Sequence, residues 1–194
     1  ATSGIGEAAA VHLSQQGARI VASGRREERL KTLATRLPSP HLTIPLDVAD
    51  ETAVFSSAKQ ITEAFGRIDV LVHSAGLNIT ERSWDEITPS GWNEVIQVDL
   101  NGAFYCNQAV LPVMRDQKDG LIINVSSWAG RFVSRVSGGA YSAAKHGLNA
   151  MTESINQENC QFGIRATALC PGEVATEILD RRPVPVSPED RARM

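Results

Sequence analysis

Residues 19–37 read RIVASGRREERLKTLATRL, and this stretch contains one strand followed by one helix. Residues 19–23 are a short apolar run, which predicts a strand. Residues 25–37 predict a helix, which ends before Pro38 because proline cannot continue a helix. A strand that leads into a helix is the repeating unit of α/β folds.

The same alternation continues on both sides of this unit. Further strands are predicted over residues 42–46, 68–73, 121–125 and 165–169. Further helices are predicted over residues 5–16, 50–65, 92–117 and 141–162, with a polar loop over residues 77–90. Alternating strands and helices predict parallel βαβ units, and strands that are apolar on both faces are expected where helices cover both sides of a sheet.

This pattern predicts an α/β fold, a three-layer Rossmann-type doubly wound parallel sheet, in a single domain over residues 1–194. The ligand-binding crevice of such a fold lies at the carboxyl ends of the strands. Because the chain opens at Ala1 directly into a glycine turn, we expect the first strand, and a last strand and helix, to lie outside it. Residues 181–194 are rich in proline and charge, which predicts either a solvated tail or a mobile substrate lid.

The composition excludes several classes of protein. A net charge of −3 argues against a nucleic-acid partner, and no apolar run is long enough to predict a membrane span. The three cysteines form no metal-ligand pattern, so we expect no metal site and reduced thiols in a cytoplasmic protein. Since the natural N-terminus is expected to be missing, an organellar targeting signal stays an open alternative.

The first six residues, ATSGIG, form a glycine turn before the first predicted helix. Gly4 would let the backbone approach a pyrophosphate closely, and Gly6 would let the helix pack close to a strand. The helix N-terminus adds free N–H groups and a positive dipole end. Although a G-x-G turn is also typical of ordinary strand–helix connections, we predict a phosphate site at Ser3, Gly4, Ile5 and Gly6.

Two arginines follow the strand of residues 19–23, at the position where a site that prefers NAD usually has a carboxylate. No acidic residue is present there, and the guanidinium group matches the geometry of a phosphate. We therefore predict that Arg25 and Arg26 bind a 2′-phosphate and that NADP(H) is preferred over NAD(H). The alternative is that both arginines face solvent at the start of a helix.

Two further strand ends carry candidate binding residues. Asp47, followed by Val48, could accept a hydrogen bond from an adenine amino group, or it could cap a turn or helix. The small residues Ser74, Ala75 and Gly76 would leave room for a ribose and a nicotinamide above the sheet.

Tyr141 and Lys145 are four residues apart, so on a helix their side chains share one face. A free tyrosine side chain has a pKa of about 10 and is a poor base at neutral pH. A nearby ammonium stabilises the phenolate by about 4 kcal/mol at roughly 4 Å and an effective dielectric constant of about 20. This spacing is common in exposed helix pairs, but its position after a serine-ended strand favours general acid/base chemistry.

Ser127 follows the strand of residues 121–125 and could hydrogen-bond a substrate carbonyl oxygen as negative charge develops on it. The loop between Ser127 and Tyr141 predicts part of the substrate pocket. Arg131 and Arg135 could recognise an anionic group there, or they could face solvent. The predicted pocket wall comprises Trp128, Arg131, Phe132, Val133 and Arg135.

Together these residues resemble the short-chain dehydrogenase/reductase family over essentially the whole chain. Residues 1–6 resemble the last part of the family's T-G-x-x-x-G-x-G turn, and residues 74–76 resemble its N-A-G motif. Tyr141 and Lys145 match its Y-x-x-x-K motif, and Ser127 matches its catalytic serine. Pro171, Gly172 and Thr176 resemble its P-G-x-x-x-T segment.

The resemblance implies an oxidoreductase that acts on a CH–OH donor, or on the matching carbonyl, with a nicotinamide cofactor. It implies that Tyr141 protonates the carbonyl oxygen, that Lys145 also binds the nicotinamide ribose, and that Ser127 orients the carbonyl. Family contacts to the nicotinamide end of the cofactor correspond to Pro171, Gly172, Val174 and Thr176. The expected partners are a small-molecule substrate and further copies of the chain, in a homodimer or homotetramer.

Three departures from the family pattern stand out. Ser74 replaces the asparagine of N-A-G, and Asp99 takes the place of the family's fourth catalytic residue, also an asparagine. An ionised aspartate cannot donate a hydrogen bond, although it could support a relay water. Ser127 lies one residue further from Tyr141 than is usual, which makes Ser126 an alternative. A non-catalytic NADP(H)-binding sensor or scaffold is therefore the alternative function.

Overall fold

A computed structural model describes residues 1–193, and Met194 at the end of the predicted tail lies outside them. The seven α-helices of this part are α1 (Gly4–Gln15), α2 (Glu27–Ala34), α3 (Glu51–Phe65), α4 (Pro89–Ile96), α5 (Gly102–Gln117), α6 (Gly139–Asn159) and α7 (Pro188–Ala192). Its five strands are β1 (Ile20–Gly24), β2 (His41–Pro45), β3 (Val70–His73), β4 (Gly120–Val125) and β5 (Ile164–Leu169).

All strand pairs are parallel, which confirms the predicted α/β architecture. Strand β1 pairs with β2, and β4 pairs with β3 on one side and β5 on the other. Within residues 1–193, no strand pairing joins β1 to β3. The N-terminal residues run past the carboxyl end of β1, where the Ala1 nitrogen donates to the Ser23 carbonyl. The first strand of the sheet, which we expect to precede Ala1, stays a prediction.

Each group of strands has its own apolar core. Helices α1 and α2 pack on β1 through Ala10, Ala22, Leu30, Leu33 and Leu37. Helices α5 and α6 pack on β3, β4 and β5 through Ile68, Val110, Met114, Ile122, Ile155, Ile164 and Ala166. These clusters fix the helices against the strands, so the strand ends are held in defined positions.

Two predicted helix bounds are wrong in ways that affect the site. The helix predicted over residues 25–37 begins only at Glu27, because Arg26 has an extended backbone (φ −93°, ψ 91°) and precedes the first turn. The helix predicted over residues 92–117 is interrupted by a π-helical turn at Gln97–Asn101. This wider turn lies where Gly102 packs directly against Val48, with no room for a β-carbon.

The 3₁₀ turn Glu177–Arg181 leads into the predicted C-terminal tail, and the tail contains the short helix α7. No helix of residues 1–193 is both long and apolar enough to cross a bilayer.

Candidate active site

A cleft of about 750 Å³ opens at the carboxyl ends of the strands. Its walls come from the glycine turn, the residues that follow β1 to β5, the first turns of α6 and the segment after β5. With one exception, every predicted catalytic and cofactor-binding residue lines this cleft. The exception is Asp99, which is fully buried behind the wall. The roles of these residues stay predictions.

The glycine turn leaves backbone donors without helical partners. Gly4 has a left-handed backbone (φ 56°), and the first helical bond of α1 runs from the Glu7 nitrogen to the Ser3 carbonyl at 3.3 Å. The N–H groups of Gly4, Ile5 and Gly6 therefore precede the helical ladder, and the Ser3 side chain does not cap them. Donors at the wall of a cleft suit a phosphate.

Gly6 permits the close helix packing that was expected from the sequence. A β-carbon at this position would collide with the Ser74 hydroxyl after β3. A β-carbon on Gly4 would meet the Thr176 methyl group at 3.0 Å. The turn therefore packs against the segments that follow β3 and β5.

The two predicted arginines have different surroundings. Arg25 is exposed, and its Nη1 lies 3.7 Å from Asp47 Oδ2. Arg26 donates to the hydroxyls of Thr2 (3.0 Å) and Ser3 (2.7 Å) and to Glu177 Oε2 (2.7 Å). Of the two, only Arg25 has a guanidinium without a short hydrogen bond to the protein.

Glu177 accepts a second arginine, Arg29, through its other oxygen. The hydrogen bonds from Arg26 and Arg29 lower the pKa of Glu177 to about 2. This cluster was not predicted from the sequence. Arg26 precedes α2 and Arg29 lies in it, but no local signal marks Glu177, which lies about 150 positions further along the chain.

Asp47 acts as a turn residue. Its Oδ1 accepts a hydrogen bond from the Ala49 nitrogen at 3.0 Å, while Asp50 caps helix α3. The neighbouring Val48 packs against Gly102. The cleft-facing Asp47 Oδ2 has the Arg25 guanidinium as its neighbour.

Tyr141 and Lys145 lie in the first turns of α6, and both line the cleft. The Lys145 ammonium lies over the Tyr141 ring, 5.4 Å from the ring centroid. The two side chains therefore share one face of the helix, as the spacing predicted.

Lys145 also contacts the buried carboxylate of Asp99, with 3.2 Å between Nζ and Oδ2. Its ammonium donates to the Val125 carbonyl at 3.2 Å, and Asp99 Oδ1 accepts from the Leu77 nitrogen at 2.8 Å. Gly76 covers the pair so closely that a β-carbon there would lie 3.1 Å from Asp99 Oδ2.

Burial and charge act in opposite directions on this pair. Burial raises the pKa of Asp99, against the influence of Lys145 and of the Leu77 N–H. Burial acts to lower the pKa of Lys145, but the negative charges of Asp99 and Tyr141 outweigh it and raise that pKa. Lys145 therefore keeps its proton in the folded chain at neutral pH.

The two neighbouring serines have different environments. Both serines line the cleft, but Ser126 is buried and its hydroxyl donates to the Lys145 carbonyl at 3.2 Å, so it fixes α6 to the end of β4. The Ser127 oxygen instead accepts from the Ala129 nitrogen at 3.1 Å. The Ser127 proton is left available for a ligand.

The predicted pocket wall is only partly correct. Trp128 lines the cleft, but Phe132 packs on the Trp128 ring at a centroid distance of 5.0 Å and does not line it. Arg135 lines a separate cavity. Three arginines that line the cleft were not predicted from the sequence, because loop positions carry no periodicity: Arg82, Arg181 and Arg182.

The sequence profile of the short chain dehydrogenase family matches residues 1–184. An uncharacterized oxidoreductase of Staphylococcus epidermidis is 36% identical over 180 residues, which are 93% of this chain and 77% of that protein.

Solved structures agree with the sequence match. A short-chain dehydrogenase from Streptomyces avermitilis has a TM-score of 0.84 at 31% identity, over 89% of this chain and 63% of its own. An alcohol dehydrogenase from the archaeon Thermococcus sibiricus, complexed with 5-hydroxy-NADP, has a TM-score of 0.85 at 28% identity, over 97% of this chain and 79% of its own. The fold, the cleft and these matches together show that the chain belongs to the short-chain dehydrogenase family of oxidoreductases.

Proposed function

We propose that this chain is an NADP(H)-dependent oxidoreductase that interconverts a carbonyl and a secondary alcohol, with Tyr141 as the general acid/base. The observation that carries the proposal is the Lys145 ammonium over the Tyr141 ring in a cleft that begins at a glycine turn. One cleft therefore holds both a proton donor, Tyr141, and a glycine turn that suits a phosphate.

The residues of the cleft fit a dinucleotide. The N–H groups of Gly4, Ile5 and Gly6 suit the pyrophosphate, and Arg25 at the end of β1 suits a 2′-phosphate. Pro171, Gly172, Val174 and Thr176, which the family resemblance assigns to the nicotinamide end, line the same cleft. The similar alcohol dehydrogenase with 5-hydroxy-NADP supports a nicotinamide cofactor. When bound, this cofactor supplies or accepts the hydride.

Three side chains contribute to proton transfer and hydrogen bonding at the substrate oxygen. The Tyr141 hydroxyl donates its proton to the oxygen during reduction and recovers one during oxidation. The Lys145 ammonium stabilises the phenolate that this transfer leaves. The Ser127 hydroxyl, whose oxygen is already occupied by the Ala129 N–H, donates toward the developing negative charge.

Asp99 acts through Lys145. Its carboxylate contacts the ammonium within a site that excludes water, so it keeps Lys145 protonated and beside Tyr141. We therefore assign Asp99 a positioning role and keep the proton transfer itself for Tyr141.

The chain contains two tyrosines, which provides a matched test. Tyr141→Phe should lower NADPH consumption with a panel of aldehydes and ketones by roughly 100-fold or more, because general acid catalysis is lost. Tyr105→Phe removes a hydroxyl from helix α5, outside the cleft, and should leave the rate unchanged.

NADPH fluorescence gives the binding of the cofactor to both variants. Normal binding with lost turnover in Tyr141→Phe supports the proposal. Wild-type turnover in that variant overturns it. Tight NADPH binding by the wild type without turnover of any carbonyl would instead support a non-catalytic binding protein.

A further inference from the structure

The cleft that holds Tyr141 is also lined by a buried arginine. Arg82 follows β3 in the polar loop, is 6% exposed and lines the same cleft as Tyr141. Gly138, with a left-handed backbone (φ 75°), allows the Arg82 side chain to pass, since a β-carbon there would lie 2.8 Å from Arg82 Cβ. The absence of a side chain at Gly138 therefore leaves room for the buried Arg82 side chain.

The Arg82 guanidinium is only partly satisfied by the protein. Nη1 donates to the Val136 carbonyl at 2.9 Å, and Nη2 donates to the Arg181 carbonyl. Nε is buried and has no partner among residues 1–193. Since a guanidinium has five N–H donors, most of its donor capacity is unused.

No carboxylate pairs with Arg82 in the part of the chain that the structure describes. The neighbouring Arg182 does have one, Glu173, at 2.6 Å. Burial and the charge of Arg182 lower the pKa of Arg82, while the charge of Tyr141 opposes this. A buried charge without a counter-ion is unfavourable, so an anion that entered the cleft would be bound in compensation.

We infer that the substrate of the proposed reaction carries a carboxylate that binds Arg82 while its carbonyl or alcohol lies at Tyr141. Both residues line one cleft, so one small molecule can reach both. A carboxylate is favoured over a phosphate because Glu173 neutralises Arg182 and Arg181 is exposed to water, so among these three arginines only the single charge of Arg82 is both buried and without a carboxylate in residues 1–193. The substrate class is then the oxo acids and the corresponding hydroxy acids. This inference rests on the proposed function.

The test compares oxo acids with their methyl esters, each pair having the same chain and the same distance from carbonyl to carboxyl. In the wild type, kcat/KM should favour the acid by roughly 10- to 100-fold, because a charge-assisted hydrogen bond is lost with the ester. In Arg82→Met the ratio of acid to ester should fall to about one. Arg82→Lys should retain part of the preference.

The ratio is measured within one protein, so it does not depend on the fraction of each variant that is folded. Arg165→Met removes an exposed arginine on β5, outside the cleft, and should leave the ratio at its wild-type value. Equal kcat/KM values for acid and ester in the wild type would overturn the inference without touching the proposed function. An unchanged ratio in Arg82→Met would do the same.

Binding provides a second measurement that needs no turnover. Saturated carboxylates and their primary amides are titrated by calorimetry into the protein with NADPH present. Carboxylate binding that exceeds amide binding by roughly 10-fold, and that is lost in Arg82→Met, supports the inference. Equal binding of the two overturns it. Failure to turn over any carbonyl counts only against the proposed function.

Discussion

The two ends of the cleft hold their charges in different ways. Beside the glycine turn, where we propose that the cofactor binds, Arg26, Arg29 and Glu177 form an exposed cluster in which every side chain is roughly half accessible to solvent. Beside Tyr141, the proposed general acid/base, Lys145 and Asp99 form a pair that is 3% and 0% exposed. Exposed ion pairs can exchange partners at a small cost in free energy. A buried ion pair stays together because neither charged group can be rehydrated in place. The exposed cluster is therefore suited to exchanging its partners for a ligand. The buried pair is suited to holding Lys145 in one position during proton transfer.

The largest effect should follow from breaking the buried pair. Asp99→Ala leaves the Lys145 ammonium without its counter-charge, so the free energy of unfolding should fall by about 3–5 kcal/mol. Chemical denaturation monitored by circular dichroism measures this loss. Glu177→Ala, which breaks the exposed cluster, should leave the denaturation midpoint unchanged.

Asp99→Asn distinguishes charge from shape at the same site. It keeps the Leu77 hydrogen bond but removes the charge that raises the pKa of Lys145. Lys145 should then lose its proton at a lower pH, so activity should decline at a lower pH on the alkaline side. The measurement is the pH profile of kcat/KM. If activity declines at the same alkaline pH in this variant and in the wild type, the carboxylate does not keep Lys145 charged.

An intermediate effect is expected at Arg25, whose guanidinium has only a loose contact with Asp47. Arg25→Ala should weaken NADPH binding by roughly 10- to 100-fold, because a charge-assisted contact with the 2′-phosphate is lost. NADH binding should not change. Equal losses of affinity for the two cofactors, measured by fluorescence titration, would reject the 2′-phosphate assignment.

The smallest effect should come from Glu177, which binds Arg26 and Arg29 and would compete with a phosphate for them at the proposed site. Glu177→Gln should tighten NADPH binding by about two- to fivefold, since exposed ion pairs are weak. NADH, which has no 2′-phosphate, serves as the control ligand and should bind as before. Weaker NADPH binding by this variant would mean that Glu177 supports the site and does not compete with the ligand.

The sequence predicted the elements whose signals are local. Apolar runs and helical spacing identified all five strands and the helical segments α1 to α6, although α4 and α5 were predicted as one continuous helix. Tyr141, Lys145 and Ser127 were found by their spacing and their order after a strand. Their common position in the cleft then followed from the parallel architecture, because all parallel strands end at one edge.

Features that depend on distant contacts were not predictable in this way. The π-helical turn accompanies the packing of Gly102 against Val48, more than fifty positions earlier. The direct contact of Asp99 with Lys145 depends on that turn and on α6. Arg82 is buried only because three loops meet around it, and an isolated arginine in a polar loop gives no such indication.

One short turn connects both ends of the cleft. Within Glu177–Arg181, the first residue is bound by arginines beside the proposed phosphate site, and the last offers its carbonyl to Arg82. A ligand that displaced Glu177 would act on the same five-residue turn that holds a carbonyl acceptor of Arg82. Binding of the proposed cofactor and of the proposed substrate would then be coupled through this stretch of main chain.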